Sequence, residues 1–507
     1  MKKIVLCLLI FVLCLQVTGC TNNKDVDNIN VNNNDPNTVV WRVGTIEELD
    51  YITEGMIKVW QDPLNELLKE KGVSYQVEII PLKNNGNNSQ IKNLKELQKN
   101  GEQTDMVTFF PENEGDNITS RNNIYKNAAT SKLLLNLDSW KKKHEKILEE
   151  VLTPYDFKLS EINHKLYGLA SHVPMTTANA YNKELLDKYG VDINEIKSNI
   201  YDNEEILMRV KEQSGESPIK FMFLSSFQLG LYNANPVKNL AFKKGEGFIA
   251  ISKSQELKQL LQHAISFKKQ GLTDQDYLGQ GNFTFVTPAD QVISKREMFN
   301  VNVNSGGKTN EVVIIPDYTE KNMHLYRGDY KTGIASWSKN IDNAEDFLLK
   351  LYSDKDIANL IQYGIEGEDY ILDDNNHITV TTKNIGLKSY GASVTNAKIT
   401  YSSIYEEDDK VAYSNWFYTK YGDEFPAGFR LEVNEMIKEI NNTNNIMTGD
   451  FVNDNQKSEW MNKIARYEID DLDKFLKDLN KELDKVGMKK IVNEANRQYQ
   501  EWLKGAK

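Results

Sequence analysis

The chain has 507 residues, 73 acidic against 61 basic side chains, a net charge of −12 and a pI near 5.3. That balance excludes the basic face of a nucleic-acid binder, and the length is enough for roughly two to four domains without disulfides. Aromatic residues make up 10% of the chain, so disorder is not the default, and past the first twenty residues no apolar run is long enough to span a bilayer.

Lys2-Lys3 open the chain, residues 4–17 are apolar apart from Gln16, and Val17-Thr18-Gly19-Cys20 follows. The order of charge, short apolar core and small residues is that of a secretory signal. Its ending resembles the bacterial lipobox, which implies a signal peptide over residues 1–19, lipid on Cys20, and attachment to the outer face of the cell membrane. Acyl chains would supply about 0.8 kcal/mol of membrane affinity per buried CH₂. The other cysteines, Cys7 and Cys14, leave with the signal, so the mature chain has no thiol for a disulfide, a Cys metal site or a Cys nucleophile. Residues 20–38 are Asn-rich and read as a flexible tether.

Order begins with a β-rich run at 39–43, ended by Gly44-Thr45. Ile57, Trp60, Leu64, Leu67 and Leu68 share one helical face that Gly72 stops. Tyr75, Val77 and Ile79 alternate as a strand, 84–88 is a turn, Ile91, Leu94 and Leu97 mark a second helix, and 105–110 is a buried strand. This βαβαβ order predicts a parallel, doubly wound sheet with its ligand crevice beyond the carboxyl ends of the strands. Glu47, Glu48, Phe109, Phe110 and Glu112 fall at that crevice. A helix is expected over 140–152, a strand over 178–181, and a helix over 183–189 closed by Gly190.

Leu166-Tyr167-Gly168-Leu169 followed by Tyr181-Asn182-Lys183-Glu184-Leu185-Leu186 resembles the "YGLP … YNKxLL" run of extracellular solute-binding proteins of ABC importers, with Ala170 where the family has Pro. Ile334-Ala335-Ser336-Trp337-Ser338-Lys339-Asn340 and the helix that follows resemble a second motif of the same proteins. There Asp342 and Glu345 have capping-box spacing, and Phe347, Leu348 and Leu351 face inward. Tyr363-Gly364-Ile365-Glu366-Gly367 is similar to the "NYGIEG" of oligosaccharide-type members. Pro426-Ala427-Gly428-Phe429 and the closing run 479–502 resemble a subset with an extra C-terminal region.

The resemblance implies an α/β, two-lobe periplasmic-binding-protein-like fold, each lobe a doubly wound sheet flanked by helices, with extra C-terminal helices. Lobe one would hold 39–171 plus 314–384, and lobe two 172–313 plus 385–507. It implies a monomeric, lipid-anchored substrate-binding protein, not an enzyme. Such a protein captures a carbohydrate, in first place an oligosaccharide, and hands it to ABC permease subunits. Another solute such as a peptide or polyol, a surface glycan hydrolase with two carboxylates about 5–9.5 Å apart, and an adhesin stay open at this point.

Catalytic motifs and cofactor motifs are missing. Gly307-Lys308-Thr309 imitates the tail of a P-loop, but Asn302 stands where the phosphate cradle needs Gly. The histidines form no HExxH pair, no GxSxG elbow occurs, and the acidic run 450–459 lacks the mid-loop Gly of an EF-hand. The acids at 406–409 read as a solvated loop.

A sugar ring needs flat aromatic platforms for its C–H faces and polar groups for its hydroxyl rim, because an unpaired hydroxyl costs about 1–3 kcal/mol. Phe109 with Glu112 fits such a pair, and the family has an aromatic and an acid at the matching positions. Trp337 precedes a helix within the second motif, and His172 lies near the implied hinge. Tyr232 and Phe429 fall where the family contributes aromatics from lobe two. Trp60, Trp140 and Trp460 lie on helical stripes and are assigned to core.

Overall fold

The computed structural model describes residues 35–45, 50–83, 89–110, 124–171, 173–219, 232–233, 237–273, 285–305, 308–317, 330–381, 391–422, 426–447 and 458–505. Lobe one starts with strand β1 (Thr38–Gly44), helix α1 (Asp50–Glu70), β2 (Gln76–Leu82), α2 (Ser89–Asn100) and β3 (Met106–Thr108). β2 and β3 both run parallel to β1, on opposite sides of it. The helical stripe of α1 packs as its spacing predicts, with Ile57, Trp60, Leu64 and Leu68 enclosed. Trp41 of β1 lies between Trp60, stacked at 6.5 Å, and Phe347, edge-on at 5.5 Å. The Trp41 indole N–H donates to Thr108 Oγ1 at 2.9 Å, so the buried ring leaves no polar group unpaired.

Next come α3 (Ile124–Thr130), α4 (Asp138–Lys143), α5 (Glu145–Val151), α6 (Pro154–Ser160) and a two-stranded hairpin, β4 (Glu161–Ile162) with β5 (Lys165–Leu166). The single helix expected over 140–152 is divided at His144, whose ψ of 13° leaves the helical range. α6 begins at Pro154 behind a capping box between Thr153 and Asp156.

Leu169 belongs to the first core and Val173 to the second. Lobe two holds β6 (Thr176–Asn182), α7 (Lys183–Lys188), α8 (Glu204–Ser214), β7 (Tyr232–Asn233), β8 (Leu240–Lys243), β9 (Gly247–Ala250), α9 (Gln255–Lys269), β10 (Val286–Val292), β11 (Phe299–Ser305) and β12 (Lys308–Asp317). β7, β8 and β9 form an antiparallel sheet. The larger sheet has the order β10-β6-β12-β11 with antiparallel pairing throughout. The parallel winding of lobe one is therefore not repeated in this sheet. β6 carries the chain out of lobe one and β12 carries it back, so their directions oppose. Thr177 pairs with Asp317 where they meet, and Thr176 Oγ1 donates to Asp317 O at 2.6 Å. Because Ile314 pairs with Ala180 inside this sheet, the return to lobe one comes after Asp317 and not at the expected residue 314.

Back in lobe one, β13 (Thr332–Ile334) pairs antiparallel with β3, followed by α10 (Ile341–Ser353), α11 (Lys355–Tyr363) and the hairpin β14 (Tyr370–Leu372) with β15 (Ile378–Val380). Phe347, Leu348 and Leu351 of α10 are enclosed as expected. The expected Asp342 cap is not formed: Asn340 holds the cap position without a side-chain bond, and Asp342 sits in the first helical turn. Ile341 starts the helix two residues earlier than an Asp342 cap allows.

Residues 391–400 return to lobe two through a polar seam. Asn396 Nδ2 donates to Val151 O at 3.0 Å and Tyr352 O at 2.8 Å, and Lys398 Nζ lies 2.5 Å from both carboxylate oxygens of Asp156. The chain ends in α12 (Lys410–Tyr421), α13 (Ile437–Ile446), α14 (Glu459–Arg466), α15 (Leu472–Lys485) and α16 (Met488–Gly505). Leu479, Leu483, Ile491 and Ala495 of these helices share the second core with Leu240, Phe248 and Leu261. Among the described residues no helix is long and apolar enough to cross a membrane.

Candidate functional site

The carboxyl ends of β1, β2 and β3 meet on one side of lobe one. Gln90, fully buried at the start of α2, donates to Phe110 O at 2.8 Å and accepts from Phe110 N at 3.3 Å. Gly44 ends β1 against this pair. A Cβ there would lie 2.7 Å from Gln90 Oε1 and 2.9 Å from Phe110 N, so only glycine fits. The Phe110 ring meets Tyr330 edge-on at 4.5 Å. The segments leaving the strand ends, 46–49, 84–88 and 111–123, lie outside the described residues, and Glu47, Glu48 and Glu112 lie within them.

A trough of about 470 Å³ opens elsewhere, lined by residues of both lobes. Its lobe-one wall is Lys126 of α3 with Ile162 and Asn163 of the β4–β5 hairpin; its lobe-two wall comes from residues 428–435 and the last turns of α16. Each wall is built by local rules. Pro426 O accepts from Phe429 N at 3.0 Å in a turn that passes through Gly428 at φ +85°. A Cβ on Gly428 would press on Lys158 O at 2.8 Å. On α16, Glu494, Arg497, Gln498 and Glu501 line one helical face. Gln498 both donates to Glu432 O at 2.9 Å and accepts from Glu432 N at 2.8 Å, which fixes this face against the 428–435 segment.

The trough is charged, and most of its charges are paired. Arg497 bridges Glu494 at 2.6 Å and Glu501 at 2.5 Å. Hydrogen bonds from Arg497 and then Gln498 pull the Glu494 carboxyl down to about 2. Lys126 pairs with Glu432 across the lobes. Burial, with the Arg430 guanidinium nearby, draws the Lys126 ammonium below the usual lysine range. Rings stand among these groups. Trp502 lies 5.9 Å from Phe429 and 5.7 Å from His164, the last reaching over from lobe one. Paired charges and amides beside aromatic faces can bind a neutral, hydroxyl-rich solute.

Of the residues expected at the site, Phe429 lines this trough. Phe109 does not. Successive strand residues turn to opposite faces, and both faces of β3 are covered, so Phe109 packs on Tyr125 at 6.3 Å in one core while Phe110 enters another. The expected ligand platform at Phe109 is thus a core ring. Trp337 is half-buried against the same core and donates from Nε1 to Glu102 O at 3.2 Å, a contact within lobe one. His172 lies outside the described residues; Tyr232 belongs to β7, where it pairs with Phe242, and its side chain is not among those described. Trp502, Arg497 and Gln498 were missed. Their signal was the i, i+3, i+4, i+8 spacing of Glu494, Arg497, Gln498 and Trp502 on the closing helix, which reads equally as a solvated face.

Residues 454–504, which span α14 to α16, match the family described as "Domain of unknown function (DUF3502)". No curated protein matches the sequence. Among solved structures, the N-glycan transport solute binding protein (NgtS) of Streptococcus pneumoniae is similar with a TM-score of 0.60 at 20% identity, over 93% of this chain and 100% of that one. The same protein in complex with Man1GlcNAc gives a TM-score of 0.52 at 19% identity, over 92% and 99%. The fold is that of the two-lobe solute-binding proteins.

Proposed function

We propose that this protein is the substrate-binding lipoprotein of an ABC importer, that it captures an oligosaccharide between its lobes, and that it delivers the glycan unchanged to the permease. The observation that carries this reading is a trough walled by both lobes and furnished with rings and polar groups, in a fold shared over 93% of the chain with a transport protein. A solute held by Lys126 and Asn163 on one side and by α16 on the other has more contacts in a closed form than in an open one. That differential affinity is what drives closure. Lipid on Cys20 and the 20–38 tether keep the body at the outer face of the cell membrane.

Calorimetric titration of the mature chain against a glycan panel that includes Man1GlcNAc, with mass analysis of the recovered glycan, tests this. Reversible binding of an unaltered oligosaccharide is expected, and glycan cleavage would replace the reading with a hydrolase. Palmitate labelling of the full chain in a bacterial host is expected to be lost in Cys20→Ala; retained labelling would refute the anchor.

A further inference from the structure

The turn between β4 and β5 holds two non-glycine residues at positive φ, 50° at Asn163 and 60° at His164. A two-residue hairpin needs this backbone, which glycine adopts freely and which asparagine and histidine adopt more readily than most other side chains. His164 is solvent-exposed, yet its imidazole lies almost parallel to the Trp502 indole, at 5.7 Å and 29°. Tyr499, one turn earlier on α16, supports the same indole at 6.1 Å and 22°. Asn163, Gln498 and Arg497 stand in the same trough. The result is a ring pair across the lobe boundary, edged by hydrogen-bonding groups. The lobe-one partner is carried on a tight two-residue turn, and the lobe-two partner on a helix fixed to its own lobe.

We propose that Trp502 is a sugar-stacking platform and that His164 is its placeholder, displaced when a pyranose ring of an oligosaccharide enters the trough. This rests on the glycan-capture reading above. It assigns a ligand subsite to the C-terminal region that matches a domain of unknown function. It also links occupancy to lobe movement, since the entering sugar breaks an interlobe ring contact and replaces it with its own.

The test is calorimetry on the mature chain with Man1GlcNAc and the glycan panel, comparing wild type with His164→Gly, Trp502→Leu and Trp502→Phe. Glycine suits the turn, so His164→Gly folds, and it should bind roughly 3- to 10-fold more tightly because no ring contact has to be broken. Trp502→Leu keeps apolar bulk without a ring face and should bind about tenfold more weakly, whereas Trp502→Phe should stay near wild type. Should Trp502→Leu fail to fold in a thermal melt, His164→Gly and Trp502→Phe decide. Weaker or equal binding by His164→Gly, or unchanged binding by a folded Trp502→Leu, overturns the placeholder while leaving glycan capture intact. A wild-type chain that binds no glycan overturns both.

Discussion

Lys398 and Asp156 are each fully buried and face one another at 2.5 Å where the chain makes its last passage between the lobes. Asp156 also accepts from Thr153 N at 2.7 Å and Thr153 Oγ1 at 2.8 Å, so the pair ties the start of α6 to the crossing segment. Burial pushes the Lys398 ammonium below its usual range, and Asp156 opposes that push. Removing one partner leaves a buried charge alone, at a cost of about 3–5 kcal/mol. Lys398→Met should lower the denaturant midpoint accordingly, and an unchanged midpoint would show that the pair is not closed in solution. Glu494 gives a pH signature of opposite character. Its folded pKa of about 2 lies below the ordinary 4.5, so its contribution is present above 4.5 and lost as pH falls toward 2. The melting-temperature difference between wild type and Glu494→Gln should therefore be small but visible at pH 6 and vanish near pH 2. A difference that persists at low pH would contradict the assignment. Residue identities at the site were only partly legible. Phe429, expected from the family resemblance, lies on the trough wall. Phe109 was misassigned because strand alternation does not reveal that both faces of β3 are covered.

Between elements, the second lobe is held to the C-terminal helices by side-chain amides reading backbone. Asn496 of α16 donates to Phe248 O at 2.8 Å and accepts from Phe248 N at 2.8 Å, as a strand neighbour would. Asn480 of α15 donates to Ser252 O at 2.9 Å and accepts from Ser252 Oγ at 2.6 Å. Asn496→Ala forfeits two bonds at about 1 kcal/mol each and leaves the Phe248 backbone groups short of partners. Amides of α16 and of β9 should then exchange hydrogen faster together, by one to two decades, while those of β1 and β2 stay protected. Faster exchange confined to α16 would mean that the amide does not join the two elements. The helices and strands of lobe one were readable because their apolar spacing is regular: the Ile57 to Leu68 stripe is buried as read. The break at His144 and the cap at Asn340 were not read from the local pattern; the Asn340 side chain donates to Thr38 O on β1, far along the chain.

At the scale of the molecule, the main cores of the two lobes are joined by crossing segments with polar contacts at Asp317, Asn396 and Lys398. The two-lobe plan was legible from ordered motifs. The antiparallel sheet of lobe two was not, because strand direction there is set by where the chain re-enters lobe one, after Asp317. The trough lies where Lys126 and Asn163 of one lobe face α16 of the other, a juxtaposition that no local pattern encodes. The most direct test of capture between lobes is small-angle X-ray scattering of the mature chain titrated with a glycan that calorimetry has identified as a ligand. The account predicts a radius of gyration that falls with occupancy, together with a narrower interlobe distance distribution. A saturated chain whose scattering is identical to that of the free chain would contradict it.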